Sequence, residues 1–347
     1  MFSIKGKRIG IRTPPYVIAE ISANHNGDIK NAMKLIEFAA DAGADAVKIQ
    51  TYRPDTITLK SNRPDFQINS GIWKGYTLWD LYEWAHTPWE WHETLFNCAH
   101  EIGITIFSSP FDATAVDMLE ELDTPAYKVA SFEVVDLPLI RYIASTGKPM
   151  IMSTGMANFS EIREAVYEAQ VNGCTDLALL HCVSGYPAPP EEYNLRTIMD
   201  LSSQFSVPVG LSDHTLCNTT AITSIGLGAS IIEKHLTLDR YGGGPDDSFS
   251  LEPHDFKDLC TKVKIAWSAL GNINYEEKSS ENENLKFRRS LYFVKELKAG
   301  DLVTKDAIRS VRPGFGMSPK MFDTLIGKKL LKDVTYGTAV DESHFQK

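Results

Sequence analysis

Eight short apolar runs, each followed by a stretch of helical period, constrain this chain more than any other feature. The runs are Tyr16–Ser22, Ala46–Tyr52, Thr105–Pro110, Ala126–Ser131, Pro149–Thr154, Leu177–Val183, Pro208–His214 and Ser230–Thr237. Near-continuous hydrophobicity over so few residues marks strands buried on both faces, as in a parallel sheet. Among the stretches between them, Asn31–Ala42, Trp89–Ile102, Ser160–Asn172 and Leu195–Ser203 repeat their apolar residues at three to four positions. Gly43, Gly103, Gly147, Gly173 and Gly228 stand where such helices should stop. Glycine enters the left-handed conformation that closes a helix without a Cβ clash. Strand–helix alternation repeated eight times predicts a (β/α)8 TIM barrel. An open doubly wound sheet is the competitor, but it would bring a GxGxxG after the first strand, and none is there.

The chain has 347 residues, room for a barrel of about 250 residues and a small second domain. The polar, non-periodic segment 272–284 reads as a linker between a barrel at 1–271 and a β-rich domain at 285–347. In the latter, Gly300, Gly314, Gly316, Gly327 and Gly337 mark turns. The formal net charge of −10 argues against nucleic acid as a partner. It is unevenly spread: residues 285–347 hold 13 Lys and Arg against 7 Asp and Glu. A basic tail beside an acidic barrel suggests docking, within or between subunits. No apolar run reaches the roughly 18 residues of a membrane span, and no basic-then-apolar leader opens the sequence. The five cysteines are scattered without CxxC spacing and read as reduced thiols, so the expected compartment is the cytoplasm.

In a barrel, chemistry collects at the C-terminal ends of the strands. Here those ends carry Glu20 with Asn24 and His25, Lys48 and Gln50, Ser108 and Ser109, then Lys128, Ser131 and Glu133. Ser153 and Thr154, Ser184 and Tyr186, Ser212 and His214, and Glu233 and His235 complete the ring. His214 and His235 close two successive strands, joined by one helical stretch at Asn218–Leu227. A right-handed β-α-β unit puts both at one edge of the sheet, where two imidazoles suit a divalent metal. The competing reading is two core histidines, each with a local hydrogen bond. Lys48 and Lys128 are costly to desolvate unless they meet an anion. A phosphate or carboxylate ligand would satisfy them, and so would pairing with Glu20 or Glu133.

Seven motifs then carry a resemblance. They are Ile-Ala-Glu-Ile-Ser-Ala-Asn-His (18–25), Gly-Ala-Asp-Ala-Val-Lys-Ile-Gln-Thr-Tyr (43–52), Phe-Ser-Ser-Pro-Phe (107–111) and Tyr-Lys-Val-Ala-Ser-Phe-Glu (127–133). Ser-Thr-Gly-Met (153–156), Gly-Leu-Ser-Asp-His-Thr (210–215) and Ile-Glu-Lys-His (232–235) follow in order. The chain resembles the sialic acid synthase family, enzymes that condense phosphoenolpyruvate with an amino sugar. Arg-Arg-Ser-Leu-Tyr (288–292) and Ser-Val-Arg-Pro-Gly-Phe-Gly (310–316) look like that family's C-terminal antifreeze-like (SAF) domain.

The resemblance implies roles. His214 and His235 would hold a divalent metal, most often Mn2+, with Mg2+ or Co2+ as alternatives. Lys48, Gln50, Lys128, Ser131, Ser153, Thr154 and Ser212 would bind phosphoenolpyruvate. Glu20 and Glu133 would handle water or sugar hydroxyls, while Ser184, Tyr186, Asp246 and Arg312 would contact the sugar. Arg312 would come from the partner's tail domain, which implies a swapped homodimer. Three stretches, 48–59, 77–85 and 245–251, look closest to the pseudaminic acid synthase branch, whose sugar is 2,4-diacetamido-2,4,6-trideoxy-L-altrose. The alternative is a legionaminate or N-acetylneuraminate synthase, although Ser184 stands where the latter usually place Asn. Two readings from other classes are weaker. A metallohydrolase barrel would begin with an HxH motif, and position 19 onward reads Ala-Glu-Ile-Ser. An ice-binding face should be flat and weakly charged, unlike this tail.

Overall fold

Strand alternation decides which residue of each run looks inward, and the computed structural model, which describes residues 1–346, shows the result. The chain divides into two compact units, Met1–Gly271 and Asn272–Lys347. The first opens with a hairpin of β1 (Phe2–Ile4) and β2 (Lys7–Ile9), turned at Lys5 and Gly6. Eight parallel strands follow: β3 (Tyr16–Glu20), β4 (Ala46–Thr51), β5 (Thr105–Pro110), β6 (Tyr127–Val129), β7 (Met150–Ser153), β8 (Leu177–Cys182), β9 (Val209–Asp213) and β10 (Ile231–His235). They close in sequence order, with β10 pairing back onto β3, so the predicted barrel is the observed one. The strands stop slightly short of the apolar runs because the last residues turn outward into loops. After β6, for instance, Ser131–Val135 forms a 3-10 turn.

The helices sit between the strands as the periodicity predicts, from Ile29–Ala42 onward. Trp89–Ile102 is divided, with a 3-10 turn at Trp89–Trp91 preceding the helix His92–Ile102. Each of the five capping glycines has positive φ, from 71° at Gly147 to 111° at Gly173.

Two apolar layers hold the barrel. Helix faces pack outside it, through residues such as Leu35, Leu95, Ile140 and Val263. Inside, Tyr16, Ile18, Phe107, Ile151, Leu180 and Ile231 fill the lower half, and Phe2, Ile4 and Ile9 of the hairpin seal the bottom. Space there is tight: a Cβ on Gly210 would lie 2.4 Å from the Ile231 carbonyl oxygen. Most inward positions above this plug are polar or ionisable, among them Lys48, Gln50, Lys128, Ser153, Ser212 and Glu233.

In the second unit β11 (Ser290–Phe293) pairs antiparallel with β12 (Ile308–Val311). Single bridges such as Leu297 to Val334 and Leu330 to Phe345 wrap the remaining chain around Leu291, Phe293, Val303 and Val340. The β content is therefore mostly short pairings. Ser279–Phe287, mostly within the stretch read as a linker, winds in 3-10 turns.

Candidate active site

Two lysines and two glutamates occupy the first layer above the apolar plug. Lys48 Nζ lies 2.7 Å from Glu20 Oε2 and 3.0 Å from Glu233 Oε1. Lys128 Nζ is 4.0 Å from the same Glu233 oxygen and donates to Ser153 Oγ at 2.7 Å and to the Val129 carbonyl at 3.1 Å. All four are buried, so their mutual pairing is what makes their ionisation tolerable. The lysines therefore already pair with carboxylates, Glu20 as expected and Glu233 in place of Glu133.

Their protonation differs accordingly. Burial opposes charge on Lys48, but Glu20 and Glu233 outweigh it and hold its value above the ordinary lysine range. Burial wins at Lys128, which falls to about 8 despite Glu233. Burial raises Glu20 and lifts Glu133 to about 7. It also tends to raise Glu233, but Lys128 and Lys48 bring that carboxyl below its usual value.

One layer higher stand the histidines. Their ring centroids are 5.4 Å apart. The Nδ1 of His214 is 2.9 Å from the Val183 carbonyl, which commits that nitrogen and leaves Nε2 for other work. His235 Nδ1 is buried with no hydrogen-bond partner, 3.7 Å from Asp246 Oδ2. Burial, with His214 nearby, keeps His235 neutral, the state a metal ligand requires. Two imidazoles beside a carboxylate, one ring nitrogen orphaned, fit a borderline divalent metal. Among the described residues no third ligand closes a protein-only set. Such a set would leave positions for water and substrate.

Around these groups lies a cavity of about 280 Å³. It brings together Lys48, Gln50, Lys128, Ser131, Glu133, Ser153, Tyr186, Ser212, His214, His235 and Asp246 from the sequence reading. Three expected residues of the first unit, Thr154, Ser184 and Glu20, do not line it. Thr154 donates its hydroxyl to the Leu180 carbonyl at 3.2 Å, because alternation turns it away once Ser153 faces inward. Ser184 does not line the cavity and approaches Cys182 Sγ at 3.8 Å. Arg312 is exposed on the second unit. Glu20 lies just beneath the cavity, touching it through Lys48. Asn24 and His25 are structural here. Asn24 ties the Leu236 carbonyl to Ser250, and His25 packs edge-on against Trp91.

Asp246 owes its position to its neighbour. Asp247 is buried and accepts from the backbone NH of Gly244 at 2.7 Å, from Asn26 Nδ2 at 3.0 Å and from the Thr237 hydroxyl. No side chain fits at Gly244, whose Cβ would lie 1.8 Å from Asn26 Oδ1. The loop after β10 is thus pinned to the loop after β3, and Asp246 is left pointing at the histidines. Sequence reasoning missed a second contributor, the long excursion 53–91 between β4 and the helix His92–Ile102. It supplies Ile57, Trp73, Leu81, Tyr82 and Ala85 to the cavity wall. Its length alone was a signal, since loops this long on the C-terminal face of a barrel are usually functional.

Cationic anchors, free carboxylates and paired imidazoles at the mouth of a (β/α)8 barrel define an enzyme. The chain belongs to the NeuB family, matched over residues 35–275, with a SAF domain at 288–346. It is 43% identical to the pseudaminic acid synthase of Campylobacter jejuni serotype O:23/36, covering 95% of this chain and 96% of that one. The N,N'-diacetyllegionaminic acid synthase of C. jejuni serotype O:2 is 37% identical over 91% of this chain and 96% of the relative. Among solved structures, an N-acetylneuraminic acid synthetase from Leptospira borgpetersenii in complex with citrate superposes with a TM-score of 0.73 at 31% identity. That match covers 83% of this chain and 95% of the other.

Proposed function

We propose that this enzyme is a pseudaminic acid synthase, condensing phosphoenolpyruvate with 2,4-diacetamido-2,4,6-trideoxy-L-altrose and water to give pseudaminic acid and phosphate. The observation that carries the reading is identity of 43% to a pseudaminic acid synthase against 37% to a legionaminic acid synthase, each over nearly the whole chain. The cavity supports the chemistry. Lys48 and Lys128 line the cavity with Ser131, Ser153 and Ser212 as hydroxyl donors, the set that phosphate and carboxylate oxygens need. Gln50 adds an amide at the same wall.

His214 and His235 would hold the divalent metal, for which we favour Mn2+. When bound, that metal supplies Lewis-acid polarisation of the sugar aldehyde. The chain's own groups do the rest. The lysines fix phosphoenolpyruvate so that its C3 faces the aldehyde carbon, and the C3–C1 bond forms at that approach. The aldehyde oxygen takes up a proton, and a water oxygen adds to C2 and gives one up; as the C2–O bond to phosphate breaks, that oxygen gives up its second proton and becomes the C2 carbonyl, releasing inorganic phosphate. Glu133, held near neutrality by burial, is the group placed to carry these protons, while Glu20, beneath the cavity, acts through Lys48. Tyr186, 4.5 Å from the His214 ring, and Asp246 would contact the sugar. We further propose that the working form is a cytoplasmic homodimer in which Arg312 of one subunit serves the other. Among the described residues no helix is long and apolar enough to cross a membrane.

The test is phosphate release from phosphoenolpyruvate with Mn2+ and each candidate sugar. Faster turnover with 2,4-diacetamido-2,4,6-trideoxy-L-altrose than with N-acetylmannosamine or the legionaminate precursor supports the reading; the reverse order refutes it.

A further inference from the structure

We infer that the excursion 53–91 builds an apolar subsite for the deoxygenated terminal carbon of the sugar, and so selects 6-deoxy over 6-hydroxy substrates. The inference rests on the proposed condensation of a diacetamido sugar and goes beyond it in naming which wall reads which end. The cavity has two chemically distinct sides. The strand ends contribute its lysines, carboxylates, serines and histidines, whereas the excursion contributes Ile57, Leu81, Tyr82, Ala85 and Trp73 without a single charge. Tyr52 at the end of β4 and Phe111 beyond β5 extend the same wall, meeting edge-on at 5.1 Å, with Tyr82 edge-on to Tyr52 at 5.8 Å.

The wall is built to stay dry and fixed. Trp73 spends its indole NH on the Pro245 carbonyl at 2.8 Å, so it offers the cavity only its ring. Thr77 and Asp80 form a capping box at the start of the helix Leu78–Ala85, which holds Leu81 and Ala85 in place. In the barrel circle β5 stands diametrically across from β9, and β9 leads into His214. A sugar whose aldehyde lies at the histidines therefore extends its far carbons toward Leu81, Tyr82 and Phe111, whereas Trp73, 5.6 Å from Tyr186, borders the histidine side. A methyl there is buried favourably, at about 0.8 kcal/mol for one carbon. A terminal hydroxyl set against Ile57, Leu81 and Ala85 would lose water without gaining a partner.

The experiment compares kcat/KM for 2,4-diacetamido-2,4,6-trideoxy-L-altrose and its 6-hydroxy congener, 2,4-diacetamido-2,4-dideoxy-L-altrose, in wild type, Ile57→Asn and Ala85→Ser. Wild type should prefer the 6-deoxy sugar by roughly 10- to 100-fold, the range one methyl-to-hydroxymethyl difference supports in an apolar pocket. Both variants should shrink that ratio by about tenfold with KM for phosphoenolpyruvate unchanged. Either substitution suffices if the other fails to fold. A wild type indifferent to the 6-hydroxyl, or a ratio unmoved in the folded variants, overturns the inference. Turnover of N-acetylmannosamine with neither altrose is a different result and refutes the proposed function itself.

Discussion

Lys48 and Lys128 are both buried on inward positions of one barrel, yet they hold their protons differently. Lys48 touches two carboxylates, whereas Lys128 has only the distant edge of Glu233 and neutral oxygens from Ser153 and Val129. Lys128 is thus a charge waiting for an anion, with a value of about 8 against 10.5 for a free lysine. A folded value below the unfolded one contributes stability above about pH 10.5 and loses it as pH falls through about 8. Phosphoenolpyruvate reverses that pressure. Its binding should take up a proton at pH 9 but little at pH 7, and its affinity should weaken as pH rises above about 8. Calorimetry in buffers of different ionisation enthalpy reads the uptake directly; equal uptake at both pH values would show that Lys128 does not meet the anion. Lys128→Met should weaken phosphoenolpyruvate binding by about 2–5 kcal/mol, since it strips a buried charge from its partner. Thermal stability should fall only modestly, because Glu233 loses Lys128 at 4.0 Å but keeps Lys48 at 3.0 Å. A large fall in Tm with unchanged binding would make Lys128 a structural residue instead.

At the scale of elements, the strands were readable because burial on both faces leaves an unbroken apolar run, and the helices because glycine closes them. Alternation gave more than was taken from it. It set Glu233 beside His235 on one face, and those two indeed look inward while Lys234 turns out to pair with Asp213 at 2.7 Å. The same rule, applied at Ser153, would have turned Thr154 away from the mouth. What no local pattern carried was the bridging of two lysines by Glu233, a contact between β4, β6 and β10. The excursion 53–91 escaped for another reason: its elements are single turns and one short helix, held by tertiary contacts such as Trp73 to Pro245. That bond makes a prediction of its own. Trp73→Phe removes one neutral hydrogen bond, worth about 0.5–1.5 kcal/mol, and should raise KM for the sugar roughly two- to tenfold. KM for phosphoenolpyruvate, anchored on the strands, should not move; steady-state kinetics with each substrate varied would expose a change in the wrong one.

At the scale of the molecule, the chain makes one large unit and one small, and the resemblance assigns the small unit's Arg312 to a neighbouring subunit. Such exchange is testable by complementation. His235→Ala and Arg312→Ala should each be nearly inactive alone. Coexpressed, they should recover about a quarter of wild-type activity, because half of randomly paired dimers carry one intact site. Failure to recover, with dimers present by sedimentation, would place Arg312 in its own subunit's site or in none.

The hairpin that seals the bottom of the barrel also sets an order in time. Phe2, Ile4 and Ile9 leave the ribosome before any barrel strand, yet the surface that buries them includes Ile231 on the closing strand. Contacts so far apart in sequence form late, after a large entropic loss. For most of its synthesis the nascent chain therefore carries an apolar plug with no vessel to stopper, and an open sheet whose first strand awaits its last.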